Sequence, residues 1–139
     1  MDVLIRRDDL TRITEAVRGI GLTPVEVLGV HMFVDRENPN PKTGVRVVFA
    51  GERIRPEYRH PAPDPSQWKM SPSGFRVLDL PVLVAMKLQA YRFIDRAHIQ
   101  DLLSVGLIDD AVRNALPADL LERLRTVEFA AKENDLSDQ

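Results

Sequence analysis

Apolar and polar residues alternate in the first half of the chain in short runs that predict β-strands, with one helical segment among them. That segment has apolar residues three to four positions apart, which predicts an early helix over residues 9–19. Its core-facing residues are Leu10, Ile13, Val17 and Ile20. The predicted strands cover 3–5, 25–28, 30–34 and 45–49. Because the loop between the last two strands is rich in asparagine and proline, we expect those strands to pair antiparallel.

The second half of the chain has helical spacing almost throughout. The predicted helices cover 80–92, 96–104, 110–115 and 118–130. We therefore expect an α+β fold: a small mixed β-sheet with one early helix, followed by a C-terminal helical cluster. A chain of 139 residues suits one domain, predicted over 1–132, with a polar tail over 133–139.

The helix that begins at Leu80 is predicted to carry ionisable residues on its core-facing side. If it continues in phase, four of them fall among the apolar positions: Lys87, Asp95, His98 and Asp101. The opposite, polar side holds Gln89, Arg92, Arg96 and Gln100. Buried charge is costly unless it is paired. The cluster is therefore either structural, with paired side chains or with Asp95 capping a restarted helix, or part of a binding site.

A proline-rich segment, Pro56 to Gly74, shows no periodicity and is predicted to be an extended surface loop. It contains or adjoins Arg53, Arg55, Arg59, Trp68 and Lys69. One interpretation is a basic, aromatic loop that contacts phosphates or a base. The other is a solvated loop that Trp68 attaches to the rest of the protein.

Composition limits the remaining classes of function. The net charge of −2 gives no support for strong sequence-independent binding to nucleic acid, although a local basic groove is compatible with it. The absence of cysteine excludes disulfides, a thiolate nucleophile and a cysteine-ligated zinc. No apolar run reaches the ~20 residues of a membrane span, and the N-terminal residues lack a signal-peptide core. We expect a cytoplasmic protein without a membrane partner.

The second half contains the run VLDLPVLVAMKLQAYRFIDRAHIQDLLSVGLID. This run resembles the C-terminal helical signature of minimal nucleotidyltransferases of the DNA polymerase β-like superfamily, in particular the AbiEii/AbiGii toxin-type branch. The matching positions include the pair Lys87-Leu88, then Arg92 and Asp95, then Asp101-Leu102. The segments DVLIRRDDL and VVFAGERIRPEY resemble strands of the family's sheet with the segments that follow them. The resemblance extends to about Leu124.

The resemblance implies Mg²⁺-dependent transfer of a nucleotidyl group from an NTP to an RNA or protein acceptor. Magnesium prefers carboxylate ligands, which the family supplies as an Asp-x-Asp on one strand. Asp2 matches the second of these aspartates, which implies a catalytic and metal-binding role. Lys87 matches a lysine near the family's active site, which implies catalysis and phosphate binding. Asp95 is assigned with Lys87 to cofactor binding.

The chain also departs from the family pattern. The first aspartate and a Gly-Ser element are expected upstream of Met1, and the strand over 45–49 has no third carboxylate. We therefore expect a form that is shortened at the N-terminus and degenerate or inactive. The alternative function is a non-catalytic protein-interaction module or an oligomeric scaffold. Its partner would be a second copy of the chain or a cognate antitoxin.

Overall fold

The computed structural model describes residues 1–137, with side chains as far as Glu133. The fold is α+β, as predicted, with a mixed four-stranded sheet, an early helix and a C-terminal helical cluster. The chain forms two compact units, Met1–Ser66 and the part from Gln67 onward, called here the first and second units. The predicted single domain over 1–132 includes most of both units and stays a prediction.

The first unit contains the four-stranded sheet and one α-helix. Its elements are β1 (Asp2–Ile5), a 3₁₀ turn (Arg7–Asp9), α1 (Leu10–Arg18), β2 (Leu22–Val27), β3 (Val30–Asp35) and β4 (Val45–Phe49). The strand order is β1-β4-β3-β2. The pairing of β3 with β4 is antiparallel, as predicted, and β1 lies parallel to β4 at the edge of the sheet.

Strand β2 begins at Leu22, three residues before its predicted start, and therefore includes Pro24. It joins β3 through a two-residue turn in which both Leu28 and Gly29 have positive φ, 50° and 78°. Val27 and Val30 form the hydrogen-bonded pair that closes this turn. Hydrogen-bonded pairs recur at every second residue, so Pro24, three residues before Val27, belongs to a pair without mutual hydrogen bonds. Its nitrogen therefore faces the outer edge, and the sheet loses no hydrogen bond there.

The core of the first unit lies between α1 and one face of the sheet. It consists of Ile5, Phe33, Val47 and Phe49, with Val3, Leu10, Ile13, Val17, Leu22 and Val45 packed against them. The predicted stripe of α1 is correct for its first three residues. The prediction for Ile20 is wrong, because α1 ends at Arg18 and Ile20 lies in the following turn with 75% of its surface exposed.

The proline-rich segment is more compact than predicted. Ala62 is buried, and two backbone hydrogen bonds hold it: Gly51 N–H donates to the Ala62 carbonyl at 2.9 Å, and Ala62 N–H donates to the Glu52 carbonyl at 2.8 Å. Arg6 also pairs with Asp64 at 3.2 Å. The segment therefore folds back on the start of the loop instead of extending along the surface.

The second unit contains a β-hairpin and four helices within the described residues. They are β5 (Trp68–Met70), β6 (Arg76–Leu78), α2 (Leu80–Ala90), α3 (Phe93–Ser104), α4 (Asp110–Asn114) and α5 (Ala118–Ser137). The hairpin lies partly in the segment predicted to be a loop. Trp68 is on its first strand, where the Arg76 guanidinium stacks over the indole at 4.4 Å. This contact accounts for Trp68 without a ligand.

The helices of the second unit enclose its hydrophobic core. The buried residues are Val84, Leu88, Ile99, Ile108, Val112, Leu116, Leu120, Leu124 and Val127. The helix α5 continues past its predicted end at 130 into the predicted polar tail, and residues 138–139 lie outside the described residues. Across residues 1–137, no helix combines the length and apolar character needed to cross a membrane.

Candidate functional site

The predicted site residues are divided between the two units. Asp2 lies on β1 in the first unit, whereas Lys87 and Asp95 lie on α2 and α3 in the second. The structure brings Lys87 and Asp95 together, with 3.9 Å between the Lys87 Nζ and an Asp95 carboxylate oxygen. The candidate site built here is therefore the junction of α2 and α3.

Asp2 is engaged in an ion pair. In the parallel register it lies beside Arg46, whose Nε and Nη2 donate to the two carboxylate oxygens at 3.1 and 3.3 Å. Among residues 1–133, whose side chains the structure describes, no three histidine, cysteine or acidic side chains form a group suited to a metal. A single carboxylate already paired with arginine does not fit Mg²⁺, which needs several oxygen ligands in octahedral geometry.

The chain changes direction sharply between α2 and α3. Tyr91 ends α2 in the left-handed conformation, with φ of 51°, and Arg92 is extended before α3 begins at Phe93. The last carbonyls of α2 would otherwise lack partners. Arg123, from α5, donates to the carbonyls of Leu88 and Gln89 at 2.9 and 2.8 Å. The junction is therefore closed by a side chain from a third helix.

Asp95 is the buried polar residue of this junction, with 3% of its surface exposed. It is the third residue of α3, not the N-cap of a restarted helix, because the helix restarts earlier than predicted. Its carboxylate accepts a hydrogen bond from the Arg92 backbone N–H at 3.2 Å. It also accepts two from the Arg92 guanidinium, at 2.6 and 3.2 Å. This two-pronged contact is the strong geometry for an arginine and a carboxylate.

The pKa of Asp95 reflects opposing effects. Burial raises the pKa. The hydrogen bonds and charge of Arg92, together with the charge of Lys87, lower it by a larger amount. The net result is an Asp95 pKa below the usual 3.8, so the group is ionised at neutral pH.

Lys87 lies closer to His98 than to Asp95. Its ammonium lies 2.8 Å from His98 Nδ1, closer than the 3.9 Å to Asp95. Because lysine can only donate, this contact requires a lone pair on Nδ1. The prediction that His98 and Asp101 face the core is wrong: both are exposed. The Lys87 side chain is 21% exposed and therefore reachable from solvent.

Further cations surround the junction. The guanidinium groups of Arg96 and Arg123 lie 5.5 and 5.1 Å from the centre of the Tyr91 ring. Such contacts are attractive because the ring face is negative. The helical spacing predicts Arg96 on the polar face and Tyr91 among the core-facing apolar residues, and it gives no role to Arg123. Arg123 is distant along the chain, and no spacing signal connects it to α2.

No protein-family model, curated protein or solved structure matches this chain. The resemblance to nucleotidyltransferases therefore stays a prediction. The structural evidence that bears on function is the arrangement of side chains at the junction of α2 and α3.

We predict that replacing Asp95 with asparagine lowers the free energy of unfolding at pH 7 by about 1.5–3 kcal/mol, the scale for a hydrogen bond to a charged group. Because the folded pKa lies below the usual 3.8, the stabilisation is present above pH 3.8 and is lost as the pH falls through the folded value. Urea titrations between pH 7 and pH 2.5 measure this difference.

The control is Asp101→Asn, which changes an exposed carboxylate on the same helix. It should have little effect at any pH. A difference between wild type and Asp95→Asn that does not decrease as the pH falls from 7 to 2.5 would show that the charge of Asp95 is not the stabilising feature.

Proposed function

We propose that this chain is a nucleotidyltransferase-like, cytoplasmic protein that binds the phosphates of an NTP at Lys87 and does not transfer nucleotides in this form. The chemical class of ligand follows from the site: an ammonium group reachable from solvent, in a locally cationic surrounding, attracts an anion. The nucleotide part of the proposal comes from the resemblance.

The observation that carries the proposal is the difference between the distances from Asp95 to its two neighbouring cations, Arg92 and Lys87. Arg92 contacts both oxygens of the carboxylate, whereas Lys87 is 3.9 Å from one of them. One negative charge is thus shared by two cations, and the closer cation is Arg92. Lys87 keeps most of its electrostatic attraction for an added anion.

We propose that the chain does not transfer nucleotides because too few of its residues are predicted to bind a metal. Transfer from an NTP requires Mg²⁺ to neutralise the phosphates and to hold them for in-line attack. Asp2 is the one predicted metal ligand, and Arg46 occupies both of its oxygens. An RNA or protein acceptor, and a cognate antitoxin, belong to the same proposal and follow from the resemblance alone.

We expect wild-type protein to bind ATP, GTP, CTP or UTP weakly, and Lys87→Met to bind at least tenfold more weakly. The lost interaction is a charge-assisted contact worth about 1.5–3 kcal/mol, and ten-fold corresponds to about 1.4 kcal/mol. Calorimetry should be run with Mg²⁺ and with EDTA, because binding through Lys87 alone persists without the metal. The fold should survive, since methionine fills the lysine volume and Asp95 keeps Arg92.

The matched control is Lys132→Met, which removes an exposed lysine from α5. Equal affinity of wild type and Lys87→Met would contradict phosphate binding at Lys87. Nucleotide transfer by wild type that Asp2→Asn abolishes would contradict the proposed inactivity.

A second candidate function is the interaction module, which the outer edge of β1 favours. The carbonyls of Met1 and Ile5 accept from Arg46 and Ala50 on the β4 side, so the backbone groups of Asp2 and Leu4 face outward. No strand within residues 1–137 pairs there. Unlike β2, which carries Pro24 at its edge, β1 has no proline to prevent pairing. An antiparallel β1 from a second copy would match Leu4 with Asp2 of the other chain.

If this candidate is correct, the protein is a dimer of the 15.7 kDa chain, and Leu4→Pro makes it monomeric. Proline removes only the outward N–H of Leu4 and leaves the bonds to β4. Leu4→Ala, which keeps that N–H, should stay dimeric. Light scattering after gel filtration measures the mass, and a wild-type monomer at about 100 µM would exclude the candidate.

A further inference from the structure

The first turn of α3 presents an aromatic ring to solvent. Phe93 is 80% exposed, and Ile94, next to it, is 50% exposed. Single exposed apolar residues are common on protein surfaces and by themselves indicate nothing. The surroundings of Phe93 are what make it informative, because its neighbours along the chain and on the helix are arginines.

Arg92 directly precedes Phe93, and Arg96 lies one turn further along α3, where residues three apart are neighbours on the helix surface. Arg123 reaches the same junction from α5 and shares the Tyr91 ring with Arg96. All three arginines are exposed residues. Arg92 is paired with the buried carboxylate of Asp95, whereas Arg96 and Arg123 stack on Tyr91. The positive charge of this surface therefore comes from Arg96 and Arg123.

We propose that this surface, formed by Phe93, Arg96 and Arg123, binds single-stranded nucleic acid. Phe93 stacks on an unpaired base, and the arginines contact the phosphates on either side of it. Stacking on an exposed aromatic ring together with phosphate contacts from arginine is the usual way in which proteins hold unpaired strands. In a duplex each base is already stacked between its neighbours, so Phe93 would have no base to stack on.

The size of the surface limits the affinity. Two arginines predict a dependence of log K on log salt with a slope of about −1.4, at about 0.7 per contact for single strands. Glu122, next to Arg123 on α5, and the overall charge of −2 oppose binding. Binding is therefore strongest at low salt and lost at a few hundred millimolar.

This inference does not depend on the proposed NTP site. The NTP proposal is tested through Lys87, a partly buried residue on α2, whereas the strand-binding surface is tested through Phe93 and Arg96 on α3. Either can fail while the other holds.

The experiment is fluorescence anisotropy of a labelled 12-nucleotide single strand in about 50 mM salt, with RNA and DNA of the same sequence as separate arms. Phe93→Ala should weaken binding at least fivefold, the lower end for removal of one stacking aromatic. Arg96→Gln should lower the salt slope by about 0.7. RNA and DNA arms that respond alike assign the site to the chemistry they share, and a preference for RNA adds a contact to the 2′-hydroxyl.

Two matched controls lie on α5. Phe129 is also exposed, at 64%, and Phe129→Ala should leave affinity unchanged, as should Arg125→Gln. All four variants alter exposed side chains, and circular dichroism checks that they fold. The proposal is overturned if wild type does not bind at low salt, or if Phe93→Ala and Phe129→Ala behave alike. It is also overturned if polyphosphate or polyglutamate competes as well as RNA, because the site would then recognise charge alone or an acidic protein.

Discussion

The ion pair between Arg92 and Asp95 is the interaction on which the second unit depends. It joins the residue before α3 to the first turn of that helix, and it stabilises a carboxylate that is almost wholly buried. Without it, α3 would begin with an unpaired buried charge, which is among the most costly defects in a folded protein. The pair lies directly after the bend at Tyr91, next to the surface formed by Phe93, Arg96 and Arg123.

The same pair determines what the neighbouring cations can do. Because Arg92 takes the near contacts of Asp95, Lys87 is left with a longer contact and an imidazole partner. Arg96 and Arg123 stack on Tyr91, and no carboxylate contact of theirs is needed to hold them there. A chain with a net charge of −2 thus has a local cationic surface, which composition alone does not reveal. The proposed NTP site and the proposed strand-binding surface both depend on this local excess of positive charge.

The sequence predicts the broad fold well and the site only in part. Apolar runs and the asparagine- and proline-containing loop between them were sufficient to predict β3 and β4. Helical spacing was sufficient to predict α2. The same spacing predicts inward positions for both Asp95 and His98, but only Asp95 is buried, and His98 is exposed. The reason is that Tyr91 and Arg92 leave the helical conformation, so the phase of α3 is not that of α2. Arg123 could not be predicted, because its contacts span more than thirty residues of chain.

The central claim is that Arg92 contributes more than Lys87 to neutralising the charge of Asp95. Two double-mutant cycles on the free energy of unfolding test it most directly, one with Arg92→Ala and Asp95→Ala, the other with Lys87→Met and Asp95→Ala. We predict a coupling of about 1–2 kcal/mol between Arg92 and Asp95, and below about 0.5 kcal/mol between Lys87 and Asp95. A larger coupling for Lys87 than for Arg92 would contradict the account, because the lysine would then be a structural partner without charge to offer an anion.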